Sequence, residues 1–366
     1  MGLCDPREQS LNKKSWIAAL VVLAAVAAVV VFGRHRIHFN WQIFVEQIQL
    51  ATWWRIGLAI ALIWIAYAVR AMRWAVFLSP SRKVSGLKVL GPQVIGYTGV
   101  ALLGRPADLA RPYLVARKLR TTLSEQIAVY VVERMFDLGA MALIFSSVLY
   151  FSPDKKTLPH PELLRHLALT GLIGTVCIAI LAVFVRLRGA IMAEGTRRVF
   201  AGFAPKLGEG IADKLLAFRN GLHVLSSARE VLLAVVYSLA MWVMISYAYL
   251  ETAHAFVESP ILSHLSLARC MVVIAAGMVA SAAQLPVLGW FTQMAALAAI
   301  LQGFFGVAWE PALGCGAMLL IVTFLSVIPL GLLWARFEHV SLRKIAAESE
   351  HAGEALEHAH TPAASE

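Results

Sequence analysis

Charged residues are scarce in this chain. Asp, Glu, Lys and Arg make up 15% of its 366 residues, whereas about a quarter of a soluble protein is charged. Hydrophobic residues make up 59%, and the mean hydropathy is +0.72. Such a chain has more apolar surface than a soluble core buries. The composition therefore excludes a soluble globular protein and predicts one whose helices are covered by lipid.

Cysteines are also few, and they are widely separated. Cys4, Cys177, Cys270 and Cys315 form no CxxC pair and no Cys/His cluster, which excludes a disulfide framework and a cysteine-based zinc site. The chain lacks the HExxH, P-loop and GxGxxG motifs, whose residues bind catalytic zinc, nucleotide phosphates and dinucleotides. We therefore expect no metal and no cofactor, and no motif indicates an enzyme.

Basic residues outnumber acidic ones. The formal net charge is +10. In a membrane protein this excess reflects Lys and Arg in the cytoplasmic loops, and it attracts anionic lipid head groups. We expect membrane lipids with an anionic or phosphate-bearing head group as partners, and no nucleic acid.

Apolar runs predict about six transmembrane helices in an all-α polytopic membrane protein. A helix of roughly 20 apolar residues crosses a bilayer. Basic residues, and not a cleavage site, follow the first run, so it is predicted to be a span and not a signal peptide. The runs cover residues 16–32, 56–74, 127–151, 167–185, 231–250 and 312–334.

Two further apolar segments, residues 87–114 and 271–307, are broken by glycine and proline. Lys and Arg lie on both sides of the first segment, whereas residues 251–266 and the connection around Glu310 have none. Each segment is therefore predicted to enter and leave the membrane on one side, as a re-entrant helical hairpin. The alternative is one kinked span in each place.

The same charges predict the topology. Both termini and residues 186–230 are expected in the cytoplasm, residues 251–266 outside, and the protein in the cytoplasmic (inner) membrane. A span, a broken segment and a span then occur twice in opposite orientations, which is typical of inverted-repeat transporters. The predicted units are an N-terminal span with an interfacial segment, a first repeat, a fourth span with a cytoplasmic amphipathic loop, a second repeat and a polar tail. They comprise residues 1–55, 56–151, 152–230, 231–336 and 337–366.

Three charges interrupt the third predicted span. Glu133, Arg134 and Asp137 share one side of a helix, because consecutive residues are about 100° apart. Charges within a membrane are costly and are usually paired. We expect these three to face the protein interior and to pair with Arg105 or Arg111. The alternative is a solvated, structural helix end.

Arginines that precede this span indicate an anion site. Arg70 and Arg73 end the second span, and Arg105, Asp108 and Arg111 follow within the first broken segment. Guanidinium groups bind phosphate through paired hydrogen bonds, and a helix that begins near Arg105 would point its N-terminus at the same anion. The alternative is ordinary cytoplasmic flanking charge.

Three blocks, "YAVRAMRW", "LLGRPADLARPYL" and "VYVVERMFDL", resemble conserved blocks of the lysylphosphatidylglycerol synthase transmembrane-domain family, also called flippase-like proteins. The resemblance covers about residues 56–334. It implies a stand-alone member without the soluble aminoacyl-transfer domain, so we do not expect synthase activity. Together with the broken segments, it implies a lipid or substrate path. The residues of this path are Arg70, Arg73, Arg105, Asp108, Arg111, Glu133, Arg134, Asp137, Pro286, Gly289 and Gln293.

The second half of the chain resembles the family less closely. Family members have a Pro-Gly-Gly-x-Gly stretch followed by a Glu. The stretch "QLPVLGWFTQ" keeps Pro286 and Gly289 but places Thr292 and Gln293 where the acid stands. The resemblance then implies that the lost carboxylate changes either a coupling to protons or the lipid that is bound.

The resemblance implies lipid handling in a bacterial membrane. We expect a flippase-like transporter that moves a lipid, or another amphiphile with a charged head group, across the cytoplasmic membrane. Two alternatives stay open. One is a membrane-embedded lipid glycosyl- or phosphotransferase that uses Glu133 and Asp137 as a base or as metal ligands. The other is a non-catalytic scaffold in a lipid-modification pathway.

Overall fold

The computed structural model describes residues 40–80, 82–153, 158–202, 204–222, 227–282 and 288–338. Within these ranges the chain forms helices and no strand, which confirms the predicted all-α fold. The first predicted span, Pro286 and all but the start of the predicted tail lie outside the described residues.

The helices are numbered here in chain order. They are α1 (Trp41–Gln49), α2 (Trp53–Leu78), α3 (Gly86–Leu103), α4 (Ala110–Leu119), α5 (Leu123–Phe151), α6 (Pro161–Phe200), α7 (Pro205–Leu222), α8 (Ala228–His254), α9 (Pro260–Ser263), α10 (Leu267–Ala282), α11 (Leu288–Phe305), α12 (Trp309–Leu320) and α13 (Val327–Phe337), with a 3-10 turn at Arg105–Leu109 and a π turn at Ile321–Leu325.

Four of the described helical segments are long and apolar enough to cross a membrane. They are α2, α6, α8 and the continuous segment from α12 to α13. These segments contain the predicted spans 56–74, 167–185, 231–250 and 312–334, whereas α5, which contains the predicted span 127–151 and its three charges, is not among them. Large apolar side chains such as Ile173 and Ile180 lie exposed along α6, as lipid contact requires. The multi-pass membrane architecture is thus confirmed.

Helix α6 continues well beyond its predicted span. It has 40 residues and is roughly 60 Å long at about 1.5 Å per residue, whereas the hydrocarbon core is about 30 Å thick. Its second half packs along α7. The described part of the predicted amphipathic loop is therefore largely helical, with a turn at Ala201 and Gly202 between α6 and α7. Arg197 and Arg198 in the last turn of α6 suit the negative end of the helix dipole.

The first broken segment is a helical hairpin. Helix α3 ends at Gly104, whose φ of 79° is open to glycine but strained for other residues. The 3-10 turn follows, and α4 then runs back along α3. A Cβ on Gly96 would lie 3.1 Å from the Cα of Arg111, and one on Gly99 would face Ala107. This pairing of positions on either side of Gly104 confirms the predicted break and defines hairpin 1 as α3, the 3-10 turn and α4.

The second broken segment forms the matching hairpin 2, which consists of α10 and α11. Gly277 on α10 packs against Leu297 on α11, and the connection at 283–287 lies outside the described residues. The two hairpins meet near their breaks, because Trp290 Nε1 donates a hydrogen bond to the carbonyl oxygen of Ala101 at 2.8 Å. The side of the membrane on which each hairpin opens stays a prediction.

The core between the hairpins is built from the long helices. Helix α2 packs along α8, and buried side chains of both, including Ile63 and Met241, join those of α10, α11 and α12. The start of α8 is fixed by a capping box, in which Ser227 Oγ accepts from the Glu230 amide at 3.3 Å and Glu230 Oε2 accepts from the Ser227 amide at 3.0 Å. Such a box satisfies two amides at the helix start. This core holds α2 and α5 beside both hairpins.

Candidate functional site

A buried ion network joins the second predicted span, hairpin 1 and α5. Its seven charged side chains come from α2, the 3-10 turn, α4 and α5, so that no single element contains the site. We call this set the arginine network. Its members are Arg70, Arg73, Asp108, Arg111, Glu133, Arg134 and Asp137.

Glu133 is the centre of the network. Its Oε1 lies 3.1 Å from Arg73 Nη2, and its Oε2 lies 3.1 Å from Arg111 Nη1. The predicted pairing of Glu133 with Arg111 is confirmed, whereas the equally close Arg73 was not among the expected partners. The side chain of Arg105, the other expected partner, lies outside the described residues.

Asp137 lies one helical turn beyond Glu133 and also pairs with Arg73. Its Oδ1 lies 2.7 Å from Arg73 Nη2, and its Oδ2 lies 3.6 Å from Arg134 Nη2 and 4.0 Å from Arg70 Nη2. Arg73 Nη1 also donates a hydrogen bond to the Oγ of Ser238 on α8 at 2.7 Å. The carboxylates of α5 therefore bind α2 through Arg73.

The third carboxylate, Asp108, orients Arg111. Arg111 Nε and Nη2 both lie 2.9 Å from Asp108 Oδ1, as the spacing of three residues on a helical turn predicts. Tyr130 on α5 donates to Asp108 Oδ2 at 2.6 Å. The hydroxyl of Tyr97 accepts from Arg111 Nη1 at 2.6 Å and also from Arg70. These contacts join hairpin 1 to α2, which carries Arg70, and to α5, which carries Tyr130.

Burial separates the network into two layers. Arg73, Arg111 and Glu133 are almost completely excluded from the surface, with Glu133 only 1% exposed. The side chain of Arg134 is 33% exposed and that of Arg70 is 11% exposed. A solvated helix end would leave Glu133 accessible, so the burial favours the interior network over that alternative.

The described network carries an excess of positive charge. It contains four guanidinium groups and three carboxylates, a formal net charge of +1. Every carboxylate lies within 4.0 Å of at least one guanidinium nitrogen, which offsets the cost of burying it. The set as a whole therefore has one more guanidinium group than carboxylates.

A cavity of about 410 Å³ lies in front of the network. Arg70, Arg134, Asp108 and Asp137 reach its wall, whereas Arg73, Arg111 and Glu133 lie behind them. Both hairpins contribute to the lining. Hairpin 1 supplies Tyr97 and Val100, and hairpin 2 supplies Gly277, Met278, Ser281 and Gln293. Both broken segments therefore line one cavity among the described residues, although Gly104 and Gly289 do not contribute to its lining.

Part of the cavity wall is apolar and exposed. Leu138 on α5 lines the cavity and is 55% exposed. It follows Arg134 by one helical turn, so the exposed end of the network and the apolar opening are adjacent. An amphiphile at this opening would have charge on one side and hydrocarbon on the other.

The family comparison agrees with this arrangement. The family model described as "Lysylphosphatidylglycerol synthase TM region" matches residues 16–347. The chain belongs to this family. The match identifies a membrane protein of lipid modification or transport. No curated protein and no solved structure matches the chain.

Hairpin 2 of this lysylphosphatidylglycerol synthase TM-region member has no charge in the described part of the cavity wall. Gln293 lines the cavity, is 2% exposed, and its Oε1 accepts no hydrogen bond from the described residues. Gly289 is buried at the start of α11 but does not line the cavity, and Pro286 lies outside the described residues. Of the three residues predicted in this hairpin, the structure therefore places Gln293 at the cavity.

The sequence reasoning missed the tyrosines of the site. Tyr67 and Tyr97 line the cavity, and Tyr130 bonds to Asp108. Tyr67 precedes Arg70 by three residues, and Tyr130 precedes Glu133 by three, which is the spacing of neighbours on one helix face. This spacing could have identified Tyr67 and Tyr130 from the sequence. Tyr97 has no such signal, because the folding of hairpin 1 brings it to Arg70.

A π turn lies at the cavity wall. Thr323 and Phe324, within Ile321–Leu325, line the cavity, and the hydroxyl of Tyr67 donates to the carbonyl oxygen of Thr323 at 3.2 Å. Single π turns are frequent at functional sites, because they free backbone groups and re-aim side chains.

Metal-binding chemistry is not indicated here, since no group of three or more His, Cys, Asp or Glu in the described ranges is arranged to hold an ion.

Proposed function

We propose that this protein is a flippase-like transporter that moves a lipid with a phosphate-bearing head group across the cytoplasmic membrane. The observation that carries the proposal is the arginine network, which has a net positive charge and faces a cavity lined by both broken hairpins. Transporters with broken helices bind their substrates at such places.

The two layers of the network have separate roles in this proposal. Arg70 and Arg134 line the cavity and bind the phosphate, because guanidinium groups match phosphate oxygens in geometry and charge. Arg73 and Arg111 are occupied by Glu133, Asp108 and Asp137. They hold the carboxylates that orient the front pair and are not expected to contact the lipid.

The size of the cavity suits a lipid whose head group enters it while the acyl chains stay in the bilayer. A cavity of 410 Å³ lies at the lower end of the roughly 300 to 1,000 Å³ typical of small-molecule sites. Each leaflet of hydrocarbon is about 15 Å thick, so acyl chains that cross it do not fit inside. Because Leu138 is exposed beside Arg134, the acyl chains can extend from the cavity into the lipid at this point.

The hairpins provide the element that would move. Alternating access in such folds is largely a rocking of one repeat against the other. The contact between Trp290 and Ala101 joins the hairpins near their breaks. A change that opens the cavity to the other side of the membrane would have to break this hydrogen bond.

Transport is favoured over the two alternatives. A transferase would need an available carboxylate as base or metal ligand, but Asp108, Glu133 and Asp137 are all paired with arginines. A scaffold would have no use for a charged cavity that opens to lipid, and it would tolerate removal of the front arginines.

The test is lipid movement in proteoliposomes. The protein is reconstituted with phosphatidylglycerol labelled by a fluorophore on one acyl chain, and dithionite reports the fraction of label that reaches the outer leaflet. We expect Arg70→Gln and Arg134→Gln each to slow movement about tenfold, the effect of losing one charged hydrogen bond of about 1.5 to 3 kcal/mol.

The matched control is Arg198→Gln, which removes an exposed arginine at the end of α6, away from the cavity. It should move lipid at the parental rate. Parental rates in both cavity variants would contradict the proposal and would favour the scaffold.

A further inference from the structure

The hydroxyl of Tyr97 holds two arginines of the network at once. It accepts a hydrogen bond from Arg111 Nη1 at 2.6 Å and another from Arg70 Nη1. Both guanidinium groups also lie over the ring of Tyr97, whose centroid is 4.5 Å from the Cζ of Arg111 and 5.1 Å from that of Arg70. The ring packs in turn on Tyr67, with the two centroids 4.7 Å apart. Tyr97 of hairpin 1 is therefore a well-supported acceptor beside Arg70 of α2.

The carboxylates of the network do not accept a hydrogen bond from Arg70. Its Nε lies 3.8 Å from Glu133 Oε1, and its Nη2 lies 4.0 Å from Asp137 Oδ2. Both distances exceed the roughly 2.7 to 3.2 Å of a hydrogen bond between nitrogen and oxygen. The other hydrogen bond of Arg70 runs from Nε to Met241 Sδ, a weak acceptor. Among the described residues, Tyr97 thus supplies the only oxygen that accepts a hydrogen bond from Arg70.

Arg70 differs in this respect from the arginines behind it. Arg73 Nη2 lies 2.7 Å from Asp137 Oδ1, and Arg111 Nη2 lies 2.9 Å from Asp108 Oδ1, so each of these arginines is in direct contact with a carboxylate. Arg70 lines the cavity, and its Nη2 donates no hydrogen bond to the described residues. Its guanidinium group therefore keeps donors that a ligand in the cavity can use.

We infer that Tyr97 is a positioning residue that keeps Arg70 available for the lipid phosphate. Without its hydroxyl, Arg70 would move onto Asp137 or Glu133, because opposite charges attract strongly in a low-dielectric site. An arginine in direct contact with these carboxylates has fewer donors left for phosphate. This inference rests on the proposed function, since it concerns the same cavity and the same phosphate.

The place of Tyr97 in the fold makes phosphate binding depend on hairpin 1. Tyr97 belongs to α3, whereas Arg70 belongs to α2 and the two carboxylates belong to α5. A displacement of hairpin 1 relative to α2 therefore takes the hydroxyl away from Arg70 and leaves the arginine beside the carboxylates. The affinity of the site for phosphate is thus set by the position of hairpin 1.

The test is a double-mutant cycle on the affinity for a phosphate-bearing lipid. Detergent-solubilised protein is titrated with phosphatidylglycerol that carries short acyl chains, and isothermal titration calorimetry gives the Kd. Tyr97→Phe keeps the ring but removes the hydroxyl, so it should weaken binding about fivefold to tenfold, as the loss of one hydrogen bond to a charged group allows. Tyr247→Phe is the matched control, because Tyr247 is an exposed tyrosine of α8 that does not line the cavity. It should keep the parental Kd.

The cycle then separates positioning from direct contact with the lipid. If Tyr97 acts through Arg70, Tyr97→Phe has no further effect in a protein that already carries Arg70→Gln. In a protein that carries Arg134→Gln the full effect should persist, because Arg134 stacks on Tyr130 and not on Tyr97. A Tyr97→Phe variant with the parental Kd, or an equal loss of affinity in the Arg70→Gln protein, would overturn the inference.

Arg70→Lys is the second variant, and it covers the case in which Tyr97→Phe fails to fold. The ammonium group of lysine keeps the charge, but it is a point charge on a flexible stem and lacks the planar set of donors that Tyr97 holds in one orientation. It is free to approach Asp137, so binding should weaken about fivefold to tenfold although the charge is unchanged. A parental Kd would show that Arg70 supplies charge and not a fixed position, and it would overturn the inference.

The two proposals fail in different ways. If Arg70→Gln and Arg134→Gln keep the parental Kd and the parental rate of lipid movement, the proposed function is wrong. If both variants bind the lipid weakly but Tyr97→Phe binds it like the parent, the phosphate site stands and only the role of Tyr97 is wrong.

Discussion

Arg111 and Glu133 form a buried ion pair, with Nη1 and Oε2 3.1 Å apart. The pair joins hairpin 1 to α5, and the other oxygen of Glu133 is held by Arg73 from α2. One carboxylate therefore fixes the relative positions of three helices. This arrangement positions the front arginines, Arg70 and Arg134, beside the cavity.

Removing one partner of this pair should destabilise the protein severely. Arg111→Gln leaves Glu133 with less compensation, and Glu133→Gln leaves two buried arginines partly unpaired, so each is expected to cost about 3 to 5 kcal/mol. The measurement is the temperature at which detergent-solubilised protein loses its monodisperse peak in size-exclusion chromatography.

The charge swap is the companion experiment. Glu133→Arg combined with Arg111→Glu restores opposite charges at the same place, so it should be more stable than Glu133→Arg or Arg111→Glu alone. It should not restore full lipid movement, because Arg73 would then face an arginine. A swap no more stable than the single changes would show that the pair does not act through its charge.

Arg73 and Arg134 should separate folding from transport. Arg73 is fully buried, forms ion pairs with Glu133 and Asp137, and donates a hydrogen bond to Ser238, so Arg73→Gln is expected to lower folded yield. Arg134 is partly exposed at the cavity, so Arg134→Gln should fold normally and move lipid slowly. Yield is read from the monodisperse peak, and movement from the proteoliposome assay. The opposite pattern would reverse the assignment of the two layers.

Gly96 should be intolerant of a methyl group. A Cβ there would lie 3.1 Å from the Cα of Arg111 and closer still to its side chain, so Gly96→Ala would force α4 away from α3 and shift Arg111 from Glu133. We expect a loss of about 1 to 3 kcal/mol, as in other overpacked sites. Gly99→Ala is the control, because its Cβ would meet only Ala107 at 3.8 Å. Equal melting temperatures for both variants would contradict the tight hairpin.

The predicted topology can be tested by labelling with a membrane-impermeant thiol reagent. In a variant without the four native cysteines, Gly210→Cys in α7 should be protected in intact cells, because residues 186–230 are expected in the cytoplasm. Glu258→Cys should be labelled from outside. Labelling at position 210 in intact cells would overturn the orientation and the assignment of each hairpin to its side.

Much of the helical architecture could be predicted, because it depends on properties that are local in the chain. Apolar runs identified the segments that became α2, α6, α8 and α12–α13. Glycine and proline identified the break at Gly104. Its φ of 79° lies outside the helical range and is readily adopted only by glycine. Hydropathy did not give the end of α6, because it measures preference for lipid, whereas a helix continues until the backbone is interrupted, here near Gly202 and Pro205.

Composition and residue spacing are sufficient to predict an all-helical membrane protein, two broken segments, and a helix face shared by Glu133, Arg134 and Asp137. Which arginine pairs with which carboxylate depends on how the helices pack together. Arg70 and Arg73 are three residues apart on one helix, yet Arg73 is buried behind Glu133 and Arg70 reaches the cavity. Tertiary structure also brought Gln293 to the same cavity from hairpin 2. Electrostatic energy depends on distance in space and on burial, and neither quantity can be obtained from the separation of residues along the chain.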